Sequence, residues 1–157
     1  MAEIKTIEGT GSVSDARIAI VASRYNNYIV ERLLSGCINT LHKTGITGER
    51  ITVVRVPGAF EIPVAAGRLA DRDDYDAIIA LGAVIRGETP HFEYICNECA
   101  HGLAVIALQV DMPVIFGVLT VDTIGQAEDR SGDEESNKGC EAASTALEMI
   151  DVLRKLG

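Results

Sequence analysis

From Ala77 to Ile85 the chain reads AIIALGAVI, nine residues without a charge or a polar side chain, opened by Asp76 and closed by Arg86. A helix would need about 20 such residues to cross a bilayer. The run is also not alternating, so as a strand it has no face to offer to water. Asp76–Ile85 therefore reads as a central strand buried on both faces, which requires a parallel sheet covered by helices on each side.

The flanking sequence supplies that cover. Arg17–Ala22 (RIAIVA) is strand-like, and in Asn27–Lys43 the apolar positions Ile29, Val30, Leu33, Leu34, Cys37, Ile38 and Leu41 recur at helical spacing before Gly45 stops the pattern. Ile51–Val56 is a second β-rich run, broken by Pro57-Gly58, and helical spacing resumes over Phe60–Ala70. Thr89 and Pro90 suit the cap and first position of a helix, whose buried face would carry Phe92, Ile95, Cys96, Cys99, Leu103 and Ala107. Pro113–Leu119 reads as the fourth strand, followed by a short helix over Thr123–Asp129 and a closing one over Asn137–Leu156. Crossovers of a dozen residues or more imply parallel pairing with right-handed connections. The expectation is an α/β fold, a three-layer α/β/α sandwich around a four-stranded parallel sheet, with residues 1–157 forming one domain. Residues 1–12 are polar, contain Gly9 and Gly11, and read as an N-terminal arm.

Ligands of open parallel sheets bind outside the carboxyl ends of the strands. Those ends deliver Ser23–Asn27, Pro57–Glu61, Arg86–His91 and Thr120–Thr123 to one rim. On it, Gly87 allows close backbone approach, and the helix start beyond offers N–H groups of Glu88, Thr89 and His91 to an anion. His91 is the one histidine on this rim and can take and return protons near neutral pH. His42, closing a helix, and His101, mid-helix, read as solvent-facing. Arg130 and Lys138 flank an acidic stretch (Asp133, Glu134, Glu135) and read either as solvated side chains of that stretch or as ligand residues; a helix carries Arg130 away from its own strand end, so in the second reading its ligand belongs to a neighbouring subunit.

With 14 basic and 23 acidic side chains, a net of −9, the surface opposes nucleic acid and anionic membranes. The first residues, MAEIK, have no basic flank or apolar signal core, and a cytoplasmic chain is expected. Cys96 and Cys99 form a CxxC, but Cys37 and Cys140 stand apart without zinc-site spacing, so the cysteines read as small core hydrophobes. Phosphate-loop, dinucleotide, serine-hydrolase and zinc-protease motifs are missing. What remains is acid–base or condensation chemistry on a small anionic molecule, with no metal and no cofactor.

Five segments in order resemble lumazine synthases: Ser23–Asn26 (SRYN), Val56–Pro63 (VPGAFEIP), Leu81–His91 (LGAVIRGETPH), Val114–Thr120 (VIFGVLT) and Asn137–Ala143 (NKGCEAA). The resemblance implies a flavodoxin-like fold and the penultimate step of riboflavin biosynthesis. In that reaction 5-amino-6-(D-ribitylamino)uracil condenses with 3,4-dihydroxy-2-butanone 4-phosphate to give 6,7-dimethyl-8-ribityllumazine, phosphate and water, without cofactor. It implies His91 for proton transfer and Tyr25 stacked on the pyrimidine. Ala59, Phe60 and Glu61 would hold the ring edge and ribityl chain, and Ala83, Val84 and Ile85 would line the pyrimidine pocket. Glu88 and Thr89 would bind phosphate through backbone N–H groups with Arg130. Phe116, Arg130 and Lys138 would come from the adjacent subunit of a homo-oligomer, a pentamer whose N-terminal arm pairs with a neighbour. The acidic stretch Ser131–Ser136 replaces the family's small-residue connection, so pentamers are expected not to close into a shell. A weakly catalytic or non-catalytic paralogue that binds lumazine or flavin is the alternative.

Overall fold

In the computed structural model, which describes all 157 residues, the apolar run becomes the strand Ala77–Ile85 (β3), third in chain order. It lies between Ile18–Ser23 (β1) and Val114–Val121 (β4), and Ile51–Val56 (β2) flanks β1 on the outer side. All pairings are parallel in the order β2-β1-β3-β4, with Ile18 opposite both Ile51 and Ala77, and Ile78 opposite Val114. Ala77 to Ala83 are buried, as a strand covered on both faces must be; Val84 and Ile85 emerge half-buried where the strand ends.

Alternate residues of the inner strands feed two cores. Ile18, Ile20, Ile79 and Leu81 pack under the helices Asn27–Lys43 (α1) and Lys138–Leu156 (α5). Ala19, Val21, Ile78 and Ala80 pack under Ile62–Ala70 (α2) and His91–Val110 (α3). Each fully buried isoleucine contributes about 1.5–3 kcal/mol of transfer free energy. A short helix, Ile124–Asp129 (α4), starts at Thr123, whose hydroxyl accepts the Gln126 N–H at 3.2 Å. The fold is the expected three-layer α/β arrangement. A single 3₁₀ turn at Gly48–Arg50 and another at Ala59–Glu61 precede β2 and α2.

Two local readings are corrected. The assigned helix α3 begins at His91, so Pro90 stands at the cap position rather than the first helical one. Pro90 nevertheless has helical angles, and the Thr89 hydroxyl accepts the His91 N–H at a long 3.4 Å, so the cap is present but weak. The buried face of α3 is also thinner than its spacing suggests. Only Cys99 and Leu103 are buried, while Phe92, Ile95, Cys96 and Ala107 are half-buried. The same helix leaves Tyr94 and Leu108 in the open, Leu108 at 89% exposure. The spacing is helical, but this helix covers the sheet with one narrow stripe.

The N-terminal arm has two parts. Residues 1–6 are exposed and make no hydrogen bond within the chain, whereas residues 8–12 lie along α5. There the Thr10 N–H donates to the Asp151 carboxylate at 2.7 Å and Lys155 Nζ donates to the Glu8 carbonyl at 2.8 Å. No helix is long and apolar enough to cross a membrane.

Candidate active site

β1 runs to β2 through α1 on one face, while β3 runs to β4 through α3 on the other. The chain therefore diverges between β1 and β3, and crevices of open α/β sheets form at such switch points. A cleft of about 790 Å³ opens there. Its walls come from the segment after β1 (Tyr25, Asn26), the turn after β2 (Pro57 to Glu61), the end of β3 (Ala83, Val84, Ile85) and the start of α3 (Thr89, His91).

Local chemistry holds these segments in place. Asn26 sits at φ 60°, a left-handed conformation that asparagine tolerates better than most residues. In that position it donates from Nδ2 to the Ala83 carbonyl at 2.8 Å, stitching the β1 loop to the end of β3. At the β2 end, Gly58 N–H donates to Glu61 Oε2 at 3.1 Å. That bond aims the Glu61 carboxylate, an acceptor with lone pairs to spare, along the rim. Tyr25, 73% exposed, lines the same cleft.

Of the residues singled out in the sequence, Tyr25, Ala59, Phe60, Glu61, Ala83, Val84, Ile85, Thr89 and His91 all line this cleft. Glu88 does not; it lines a shallower depression beside it with Arg86, Pro90 and Tyr94. The backbone N–H groups of Glu88 and Thr89 donate to nothing in the chain, whereas that of His91 is shared with Thr89. The cleft lining contains no lysine or arginine.

The remaining three residues lie elsewhere. Phe116, Arg130 and Lys138 line a separate hollow of about 540 Å³ along the unpaired outer edge of β4, against α5. Phe116, 46% exposed on that edge strand, points away from the chain's own cleft. The connection between Arg130 and Lys138 behind the hollow is tied by hydrogen bonds. Asn137, buried, accepts the N–H groups of Gly139 at 2.8 Å and Cys140 at 3.2 Å, and its Nδ2 donates to the carbonyls of Arg32, Ser131 and Gly132. Lys138 N–H donates to the Arg130 carbonyl at 2.8 Å, so the two cations share one frame. α1 and α5 touch here through glycine: a Cβ on Gly139 would run into the Leu33 carbonyl.

Asn26, Phe92 and Ile95 line the cleft without having been singled out as site residues. Asn26 was the most legible of them, since an asparagine just after a strand is the residue type for a left-handed turn. Phe92 and Ile95 were read as core positions of α3. Their half-burial is the signal that they face the cleft instead. His42 and His101 are solvent-exposed, as expected. The four cysteines are free, and burial pushes the Cys99 thiol up to about 11 and the Cys37 thiol up to about 12, so neither is a nucleophile near neutral pH.

Residues 15–154 match the family model for 6,7-dimethyl-8-ribityllumazine synthase. The chain belongs to that family, a family of transferases with lumazine synthase activity in riboflavin biosynthesis.

Proposed function

We propose that this lumazine synthase family member condenses 5-amino-6-(D-ribitylamino)uracil with 3,4-dihydroxy-2-butanone 4-phosphate, and that each of its active sites is built by two subunits. One observation carries the second half of this reading. The cleft has aromatic and apolar walls for a flat heterocycle but no cation, and the chain's candidate phosphate cations, Arg130 and Lys138, line a different hollow. A phosphate monoester in a site of low dielectric calls for a charged donor. Setting the β4 edge of one subunit against the cleft of the next brings Phe116 onto the heterocycle beside Tyr25, and Arg130 towards the free N–H groups of Glu88 and Thr89.

In this arrangement Ala83, Val84 and Ile85 hold the pyrimidine, and Glu61 accepts hydrogen bonds from it or from the ribityl hydroxyls. The 5-amino nitrogen attacks the ketone carbon and water leaves, giving an imine. A proton then leaves the neighbouring carbon as the phosphate departs. The resulting enol becomes a ketone, and the ribitylamino nitrogen closes the ring on it with loss of a second water. His91, at the cleft wall, shuttles these protons. Arg130 and the helix start of α3 stabilise the leaving phosphate.

This reading includes a cytoplasmic homopentamer with residues 1–6 lent to an open sheet edge of a neighbour; the apolar face that α3 leaves uncovered and the half-exposed Phe116 support self-association. The exposed Asp133, Glu134 and Glu135 oppose packing of such rings into a shell, through like-charge repulsion. Sedimentation should show a single ring; a sixty-subunit particle would refute that part. The activity itself is tested by mixing the protein with both substrates and following lumazine absorbance. A rate well above the spontaneous condensation is expected. A rate equal to it, with lumazine still bound, would favour the non-catalytic alternative.

A further inference from the structure

Beside the cleft stands a residue that the proposed reaction does not use. Arg86, first after β3, is the arginine nearest in sequence to the free N–H groups of Glu88 and Thr89, and on charge alone it would be a phosphate ligand. Its guanidinium is committed elsewhere. Nε donates to Asp122 at 2.8 Å, just beyond β4, and Nη1 donates to Glu93 in the first turn of α3. Its guanidinium carbon lies over the Phe92 ring, 4.3 Å from the centroid. Asp122 is itself held, because its N–H donates to the Gln126 side chain at 2.7 Å.

Two of these three partners follow the working residue directly. Phe92 is next to His91 and lines the cleft, so Arg86 packs on a ring that forms part of the cleft wall. Glu93 lies two residues beyond His91 in the same helical turn. The other restraints on that turn are modest: the cap bond is long, Ile95 one turn on is only half-buried against the core, and the buried Cys99 and Leu103 lie two and three turns further along.

We propose that Arg86 is a positioning residue, which clamps the first turn of α3 to the end of β4 and so sets the place of His91 and the Phe92 wall. It acts through its two carboxylates and its flat face rather than by touching substrate. The ligand in this inference rests on the reading above; the clamp does not. Lysine can replace the charge but not the planar stack, which separates the two functions of the side chain.

The test uses the assembled protein with ¹³C-labelled histidine. His91, His42 and His101 are its only histidines, so two serve as internal controls. In the unliganded Arg86→Met variant the His91 ring signal should move while those of His42 and His101 stay, and lumazine affinity, read by fluorescence titration, should fall about ten-fold. Arg86→Lys should return the His91 signal towards its original position but leave lumazine binding weakened. Should Arg86→Met fail to assemble, Glu93→Gln removes one arm of the clamp and should move the His91 signal in the same direction by less. An unmoved His91 signal, or all three signals moving together, would overturn the proposal. If the unaltered protein bound no lumazine while its His91 signal still depended on Arg86, the clamp would stand and the proposed function would fall.

Discussion

The cleft and the β4-edge hollow are opposites. The cleft lies at the carboxyl ends of the strands, takes residues from four separate segments, and is apolar with one histidine and no cation. The hollow lies along the flank of one edge strand, takes nearly everything from β4 and the start of α5, and carries two cations beside a half-exposed phenylalanine. Each lacks what the other has. An isolated binding pocket brings its own polar anchors, so two half-equipped hollows on one chain point to assembly as the step that completes them. An edge strand left bare is an aggregation hazard unless something covers it, and in the proposed assembly a neighbour's cleft would be that cover.

That contrast can be broken from either side. Arg130→Ala should have the largest effect on one substrate: loss of a charged hydrogen bond worth about 1.5–3 kcal/mol raises the KM for the butanone phosphate roughly 10- to 100-fold. The KM for the pyrimidine should stay within about two-fold, and equal losses for both would put Arg130 outside the phosphate position. His91→Ala, on the cleft side, should lower kcat by about ten-fold, below the usual range for an acid–base group, because imine formation also proceeds unaided. A steady-state comparison of both substrates checks this, and a loss confined to the butanone phosphate KM would contradict the proton-transfer role.

The smallest expected effect lies outside both hollows. Asp151 accepts the Thr10 N–H and pairs with Lys155, and these contacts hold its carboxyl below the usual aspartate value of 3.8. A depressed carboxyl stabilises the docked arm at neutral pH, and the contribution is lost as pH falls through the lowered value. The protection of the Thr10 amide, its exchange rate compared with the intrinsic rate at the same pH, should therefore hold at neutral pH and be lost only in acid, below the range where free aspartates titrate. Exchange already at the intrinsic rate at pH 7 would refute the docking.

The sheet was legible because β3 cannot be anything but a doubly covered strand, and the cleft was legible because strand ends and loop residues follow once the sheet is parallel. Nine of the thirteen residues singled out for the site meet in the cleft. The separation of Phe116, Arg130 and Lys138 was legible from the residues alone only for Arg130, which its helix carries away; for all three it was what the family resemblance implied. Less visible were features that depend on angle rather than spacing. The apolar repeat in α3 marks a helical face but not how much of it the sheet covers, so Phe92 and Ile95 read as core when they wall the cleft. Arg86 gave no signal at all, since its partners Glu93 and Asp122 lie on different elements.

The shared site is tested most directly by mixing two impaired subunits, assayed at butanone phosphate far below the raised KM of the Arg130→Ala variant, where each alone is nearly silent. Val84→Arg fills the cleft and leaves the β4 edge intact; Arg130→Ala disables the edge and leaves the cleft intact. Co-expressed with different tags and purified through both, they form mixed rings. If sites lie between subunits, about one interface in four then joins a sound cleft to a sound edge. The account predicts that lumazine formation returns to about a quarter of the unaltered rate. Mixed rings as inactive as either variant alone would place each site within a single chain and contradict it.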